Sequence, residues 1–122
     1  MNTTNLVSNA GVVASDTAGV GTAREQPAAC EYGGDKGIFG HGSAGSGCTN
    51  LVSNTGVVAS DVAVVGSTRN NPAGTQYGGD KGIFGFGAGL GTTNLVSNLG
   101  AVQADVAAVG TARGGLAACS FN

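Results

Sequence analysis

Short apolar runs, each broken within a few residues by glycine or a polar turn, recur along this chain, and no stretch keeps a long 3.6-residue periodicity. That pattern predicts short antiparallel strands rather than helices, which glycine at this frequency disfavours. Leu51-Val52-Ser53 and Val57-Val58-Ala59-Ser60 flank Asn54-Thr55-Gly56, a three-residue connection suited to a hairpin whose last turn residue needs φ > 0. Asn9-Ala10-Gly11 and Asn98-Leu99-Gly100 keep the asparagine and glycine and vary only the residue between them, as turn stereochemistry asks. A polar bend at Gly66-Ser67-Thr68-Arg69 leads into an expected strand near Ala73 to Tyr77. Gly78-Gly79-Asp80-Lys81 then turns the chain into a glycine-containing strand, Gly82-Ile83-Phe84-Gly85-Phe86.

These elements repeat. Thr4-Asn5-Leu6-Val7-Ser8-Asn9 returns at Thr49 and at Thr93, shifts of 49 − 4 = 45 and 93 − 49 = 44 residues. Tyr32-Gly33-Gly34-Asp35-Lys36-Gly37-Ile38-Phe39-Gly40 returns at Tyr77 to Gly85, and Phe121 stands where a third tyrosine would be. A 122-residue chain with a 45-residue period holds roughly 122/45 = 2.7 repeats. The predicted fold is all-β, with four-stranded antiparallel blades of a β-propeller: a partial blade at 1–22, blades at 23–67 and 68–111, and a partial blade at 112–122. A β-solenoid is the alternative, but its repeats are shorter and the Asn-x-Gly hairpins favour antiparallel strands.

The stretch from Thr68-Arg69 through Tyr77-Gly78-Gly79-Asp80-Lys81-Gly82-Ile83-Phe84-Gly85-Phe86-Gly87 resembles the kelch repeat. There an arginine opens the blade, an apolar strand follows, and a second strand ends in a glycine pair. Here that pair is split, as Gly40-His41-Gly42 and Gly85-Phe86-Gly87, and the outer-strand tryptophan of kelch blades is missing. Near-identical copies of this kind also resemble kelch-like arrays in phage and environmental virus structural proteins. The resemblance implies a closed ring, which takes about four to eight blades. The expectation is therefore a homo-oligomer, with the segment from Ala117 to Phe121 joining the N-terminal hairpin of a neighbour. About three blades per chain make a dimer of about six.

Composition narrows the function. Glycine supplies 24 residues, tryptophan none, and charged residues only 10%. The net charge of −2 and the scattered Arg24, Lys36, Arg69, Lys81 and Arg113 argue against nucleic acid or an anionic membrane as partner. No apolar run approaches a membrane span, and the first residues lack a signal peptide's charged and apolar regions, so a soluble protein is expected; its location is left open, a virion or an extracellular setting among the options. The leading reading is a non-enzymatic structural or interaction module that self-assembles, a virion or tail-fibre component or a constructed repeat fragment. The alternative is a lectin-like propeller with one shallow carbohydrate pocket per blade; a protein ligand is a further option.

The recurring charges are Asp16, Asp61 and Asp105, each eight residues before Arg24, Arg69 and Arg113. They read either as a ring of binding charges on one propeller face or as structural devices, each aspartate accepting turn amides or pairing with an arginine. One placement per repeat favours the structural reading, and a catalytic cluster would be asymmetric. Asp35-Lys36 and Asp80-Lys81 read as exposed turn residues. Gly40-His41-Gly42-Ser43-Ala44-Gly45 has the letters of a dinucleotide fingerprint, but no helix is expected after it and the next copy breaks the pattern. His41, the lone histidine, is replaced by Phe86 in the next repeat, which suggests a partly exposed aromatic slot. No cofactor or metal is expected: a lone histidine has no suitably spaced partners. Three cysteines cannot all pair within one chain. Cys30 and Cys119 hold equivalent positions, with Thr75 between them, and read as half-buried strand residues. Cys48 is expected in the loop before the second hairpin. All three are candidates for an interchain disulfide.

Overall fold

The computed structural model describes residues 2–43, 47–63 and 65–121. Among these there is no helix, and the fold is all-β, built from two antiparallel sheets with no closed barrel. Strands β1 (Ala28–Tyr32), β2 (Lys36–Gly40), β3 (Cys48–Val52) and β4 (Val62–Ala63) form the first sheet in chain order. Strands β5 (Ala73–Tyr77), β6 (Lys81–Gly85) and β7 (Thr93–Val96) form the second, also in chain order. The registers are copies of each other: Tyr32 opposes Lys36 and Ile38 opposes Leu51, as Tyr77 opposes Lys81 and Ile83 opposes Leu95.

The turns explain why these residues make these strands. Gly33 and Gly34 sit at φ 62° and 81°, and Gly78 and Gly79 at 61° and 82°, in the left-handed region that suits glycine and reverses the chain within three residues. At the second hairpin, the Gly56 N–H donates to the Ser53 carbonyl at 2.9 Å, while the Ser53 hydroxyl accepts from the N–H groups of Thr55 and Val57 at 3.3 and 3.0 Å. Ser8 and Ser97 do the same in their copies. The serine ahead of each Asn-x-Gly turn is thus part of the turn, offering backbone donors a side-chain acceptor.

Two expectations are corrected. A fourth strand forms only as the two-residue β4 in the first sheet. In the second sheet it is reduced to bridges from Thr93 to Val106 and from Val96 to Val102. An inserted asparagine side chain supplies part of the reason: Asn94 Nδ2 donates to the Gln103 carbonyl at 3.0 Å, taking an acceptor a ladder would otherwise use. Second, β6 ends at Gly85, because Phe86 has φ 58°, as His41 has φ 60° after β2. The segment from Ala117 to Phe121, expected to join a neighbouring chain, forms no strand within this one, and Phe121 is exposed.

The core lies between the sheets, where β1 packs on β5 and β6. Ala28, Tyr32 and Ile38 meet Phe84 and Val96 there, with Cys30, Leu51 and Val102 against them. The Phe84 ring lies over Gly40, where an added Cβ would come within 2.7 Å of it, so the glycine of the first sheet makes room for the aromatic of the second. A backbone bond from the Gly33 N–H to the Asp80 carbonyl, at 2.7 Å, also joins the two sheets.

Candidate functional site

The recurring aspartates and arginines meet, but not with the nearest partner in sequence. Two of the three aspartates face the arginine upstream in the same repeat: Asp61 lies 3.9 Å from Arg24, and Asp105 lies 3.8 Å from Arg69. An asparagine bridges each pair. Asn94 on β7 accepts from Arg69 Nη2 through Oδ1 and donates from Nδ2 to Asp105 at 2.8 Å. Asn50 on β3 accepts from Arg24 and donates to Asp61 at 2.8 Å. The bend preceding each arginine completes the site. Ser67 donates its hydroxyl and N–H to Asp105 at 2.6 and 3.0 Å, and Thr22 donates likewise to Asp61 at 2.7 and 2.9 Å. A glycine opens each bend because the carboxylate lies against it: a Cβ on Gly21 or Gly66 would fall 2.1 or 2.2 Å from the aspartate oxygen.

Arg69 carries a fully buried side chain, and its Nη2 also donates to the Phe84 carbonyl at 3.4 Å. Its own carbonyl accepts from the Gly42 N–H of the first sheet at 3.0 Å, so the residue ties both sheets together. The two Nη groups are held by neutral oxygens as much as by charge, while Nε is buried without a hydrogen-bond partner among the described residues. Hydrogen bonds from Ser67 hold the Asp105 carboxyl below its usual value, with Asn94 and the Arg69 charge adding to the effect. At Asp61 the Asn50 bond is foremost, followed by Thr22.

The asparagine is the member that sequence reasoning missed. Its signal was present: Asn5, Asn50 and Asn94 are the second letters of the repeated Thr-Asn-Leu-Val-Ser-Asn block. Asn5 donates to Asp16 at 2.8 Å and to the Ala14 carbonyl at 3.1 Å, repeating the asparagine–aspartate half of the site at the exposed N-terminal hairpin. Arg113 repeats the other half. Its carbonyl accepts from Gly87 at 3.0 Å, and its guanidinium stacks 4.2 Å above the Phe86 ring.

Asp35–Lys36 and Asp80–Lys81 are ion pairs at 2.8 Å on the exposed turns, in the place the sequence assigns them. His41 is not partly exposed. It is fully buried at the sheet junction, edge-on to Phe84 with centroids 5.4 Å apart, whereas Phe86 in the equivalent place is half-buried. The difference arises because the second sheet covers His41. Burial, with the nearby Arg69 charge, pushes its pKa down to about 4, so it is neutral near pH 7. Neither ring nitrogen finds a partner among the described residues.

All three cysteines are free. Cys48 is not in a loop: it opens β3, is buried, and takes a 3.2 Å hydrogen bond from Arg24. Cys30 lies in β1, and burial, opposed by a backbone bond at Ile83 and aided by the Glu31 charge, pushes its thiol up to about 11. Cys119 is exposed but not in a strand. In the glycine-rich stretch after β2, residues 44 and 45 lie outside the described residues. No group of three or more His, Cys, Asp or Glu able to hold a metal occurs among the described residues, and no helix there is long and apolar enough to cross a membrane. No family model and no curated protein matches this chain.

Proposed function

We propose that this chain is a non-enzymatic structural module that joins further copies of itself to build a kelch-like β-propeller of four-stranded antiparallel blades. The observation that carries the reading is the unequal burial of equivalent repeat positions. Val96 is wholly buried between repeats, while Val7, the same letter of the same block, is 63% exposed. Leu6, Val13, Leu99 and Val109 are exposed with it. The accessible surface, 6672 Å², exceeds the roughly 5,800 Å² that a compact 11.6 kDa monomer would show. Leu6, Val7 and Val13 share the N-terminal hairpin, and apolar surface exposed at one side of a repeat array marks a place where another repeat stacks. The arginine–asparagine–aspartate sites support a structural role, since in each the asparagine amide and the aspartate carboxylate are engaged by their neighbours within the site.

Sedimentation equilibrium tests this directly. The expected species is a discrete multiple of 11.6 kDa, with two chains giving about six blades. A strictly monomeric species up to high micromolar concentration overturns the reading. Tight, specific binding on a carbohydrate array by an otherwise monomeric protein would replace it with a lectin.

A further inference from the structure

The two complete arginine–asparagine–aspartate sites show what the exposed copies of their parts lack. At the N-terminal hairpin, Asn5 and Asp16 are already bonded to each other as Asn50 is to Asp61 and Asn94 to Asp105. In those two sites the asparagine Oδ1 receives an arginine Nη2 and the carboxylate receives a bend hydroxyl and N–H. At Asn5 and Asp16 no arginine and no bend reaches these acceptors among the described residues, and both side chains are exposed.

The complementary half is displayed on the second sheet. Thr111 and Arg113 hold the positions of Ser67 and Arg69, and the Arg113 guanidinium bonds the Thr111 carbonyl at 3.2 Å, as Arg69 bonds that of Ser67 at 3.4 Å. A third sign is the glycine of the bend. A Cβ on Gly21 or Gly66 would strike a carboxylate, but around Gly110, at a matching φ of 89°, nothing lies within 4 Å. The bend is therefore formed with the carboxylate's place open. It is also held in position: the Gly87 N–H fixes the Arg113 carbonyl, and the Phe86 ring supports the guanidinium.

We propose that Asn5 and Asp16 of one copy receive the bend carrying Thr111 and Arg113 of a second copy of this chain, completing a third site of the same kind across the interface. The partner thus supplies a cation and hydroxyl to a site that has only acceptors free, and the match is chemical as well as geometric. The inference rests on the assembly reading above and adds the contact that sets its polarity: the N-terminal hairpin of one chain meets the C-terminal bend of the next, a heterologous contact that closes when two or more copies complete a ring.

The test uses two complementary variants of the whole chain. Arg113→Ala keeps only the receiving half, and Asn5→Ala/Asp16→Ala keeps only the inserting half. All three positions are exposed, so unchanged circular dichroism is expected of each. In sedimentation, each variant alone is expected to self-associate about tenfold or more weakly than wild type. An equimolar mixture is expected to form 1:1 complexes absent from either alone, and Arg113→Lys should restore only part of the affinity, because lysine lacks the fork that reaches Asn and Asp together. Wild-type association with both variants unaffected, or a mixture no more associated than its components, overturns this contact and leaves the assembly reading standing. A monomeric wild type overturns both.

Discussion

The N-terminal hairpin and the second sheet carry the same Thr-Asn-Leu-Val-Ser-Asn block, yet one is a surface feature and the other the heart of the molecule. Both form the same turn, with serine accepting from the turn amides and glycine closing it. Both place asparagine against aspartate at 2.8 Å. What differs is everything contributed by neighbours. Beside β7 lie β6 and the Arg69 bend; beside the hairpin at residues 4–17, the only ladder contacts among the described residues are its own bridges, Thr4 to Thr17 and Val7 to Val13. Local sequence sets the turn and the first polar bond, and stacking of repeats sets burial and the completed site. That is the behaviour of a quasi-one-dimensional array, in which each unit is stabilised by its neighbours.

The most damaging way to break the comparison is to empty the junction the hairpin lacks. Phe84 is fully buried against Gly40 and His41, so Phe84→Ala is expected to cost about 4 kcal/mol and to unfold much of the protein at room temperature. Phe39, its counterpart in the first sheet, is only partly buried, and Phe39→Ala should cost clearly less in the same urea titration. Equal losses would mean that the sheet junction is not what stabilises the fold.

Next in size is the buried arginine. Arg69→Ala leaves the Asn94 amide oxygen and the Phe84 carbonyl without the Arg69 donor and Asp105 without its cation, for an expected loss of about 3 kcal/mol. Arg113→Ala, made at the same repeat position on the open side, should leave the midpoint of the monomer's unfolding within about 0.5 kcal/mol of wild type. The contrast measures how much of an arginine's worth comes from a completed site rather than from the residue itself.

His41 separates the repeats through pH. Its folded pKa of about 4 lies below the ordinary 6.5, so the unfolded chain takes up the proton first. Stability is therefore fully present above pH 6.5 and falls as pH drops toward 4. Asp61 and Asp105 also have depressed values, but their contribution is lost only at more acid pH, below their ordinary 3.8. His41→Phe, which installs the residue found at position 86, should remove the loss between pH 7 and 4.5, about 2 kcal/mol, and leave the more acid fall intact. A wild-type stability that is flat across that range would contradict a buried neutral imidazole.

Much of this was legible in the sequence, and the parts that were not share a cause. The strands around Ile38 and Ile83, the glycine turns and the all-β class follow from short apolar runs and residues that tolerate positive φ, all local properties. The one-per-repeat aspartates and arginines announced a structural device. Pairing could not be read from proximity along the chain, because Asp105 reaches back past three strands, β7, β6 and β5, to Arg69 rather than forward to Arg113. The asparagine bridge was hidden in a block that reads as an ordinary apolar strand. His41 and Cys48 were misplaced for a related reason: their burial is imposed by an adjoining sheet and an arginine from elsewhere in the repeat, neither of which a local window contains.

The smallest expected effect is the sharpest check on the idea that neighbours decide burial. Val7 and Val96 share a block, a side chain and a bridge to a valine across the same turn, Val13 and Val102. Truncating Val96 removes two methyl groups from a fully buried position, and by the scaling of buried methylenes this costs about 2 kcal/mol. Truncating Val7 removes methyl groups that water already surrounds, so Val7→Ala should change the stability of the isolated monomer by less than about 0.5 kcal/mol. In the associated state the same substitution should cost more, since a neighbouring repeat would bury that surface. Unfolding measured at two protein concentrations separates the cases: the Val7→Ala penalty should be absent in dilute solution and grow as association sets in. A penalty as large as that of Val96→Ala in dilute solution would mean that the hairpin is already covered within a single chain.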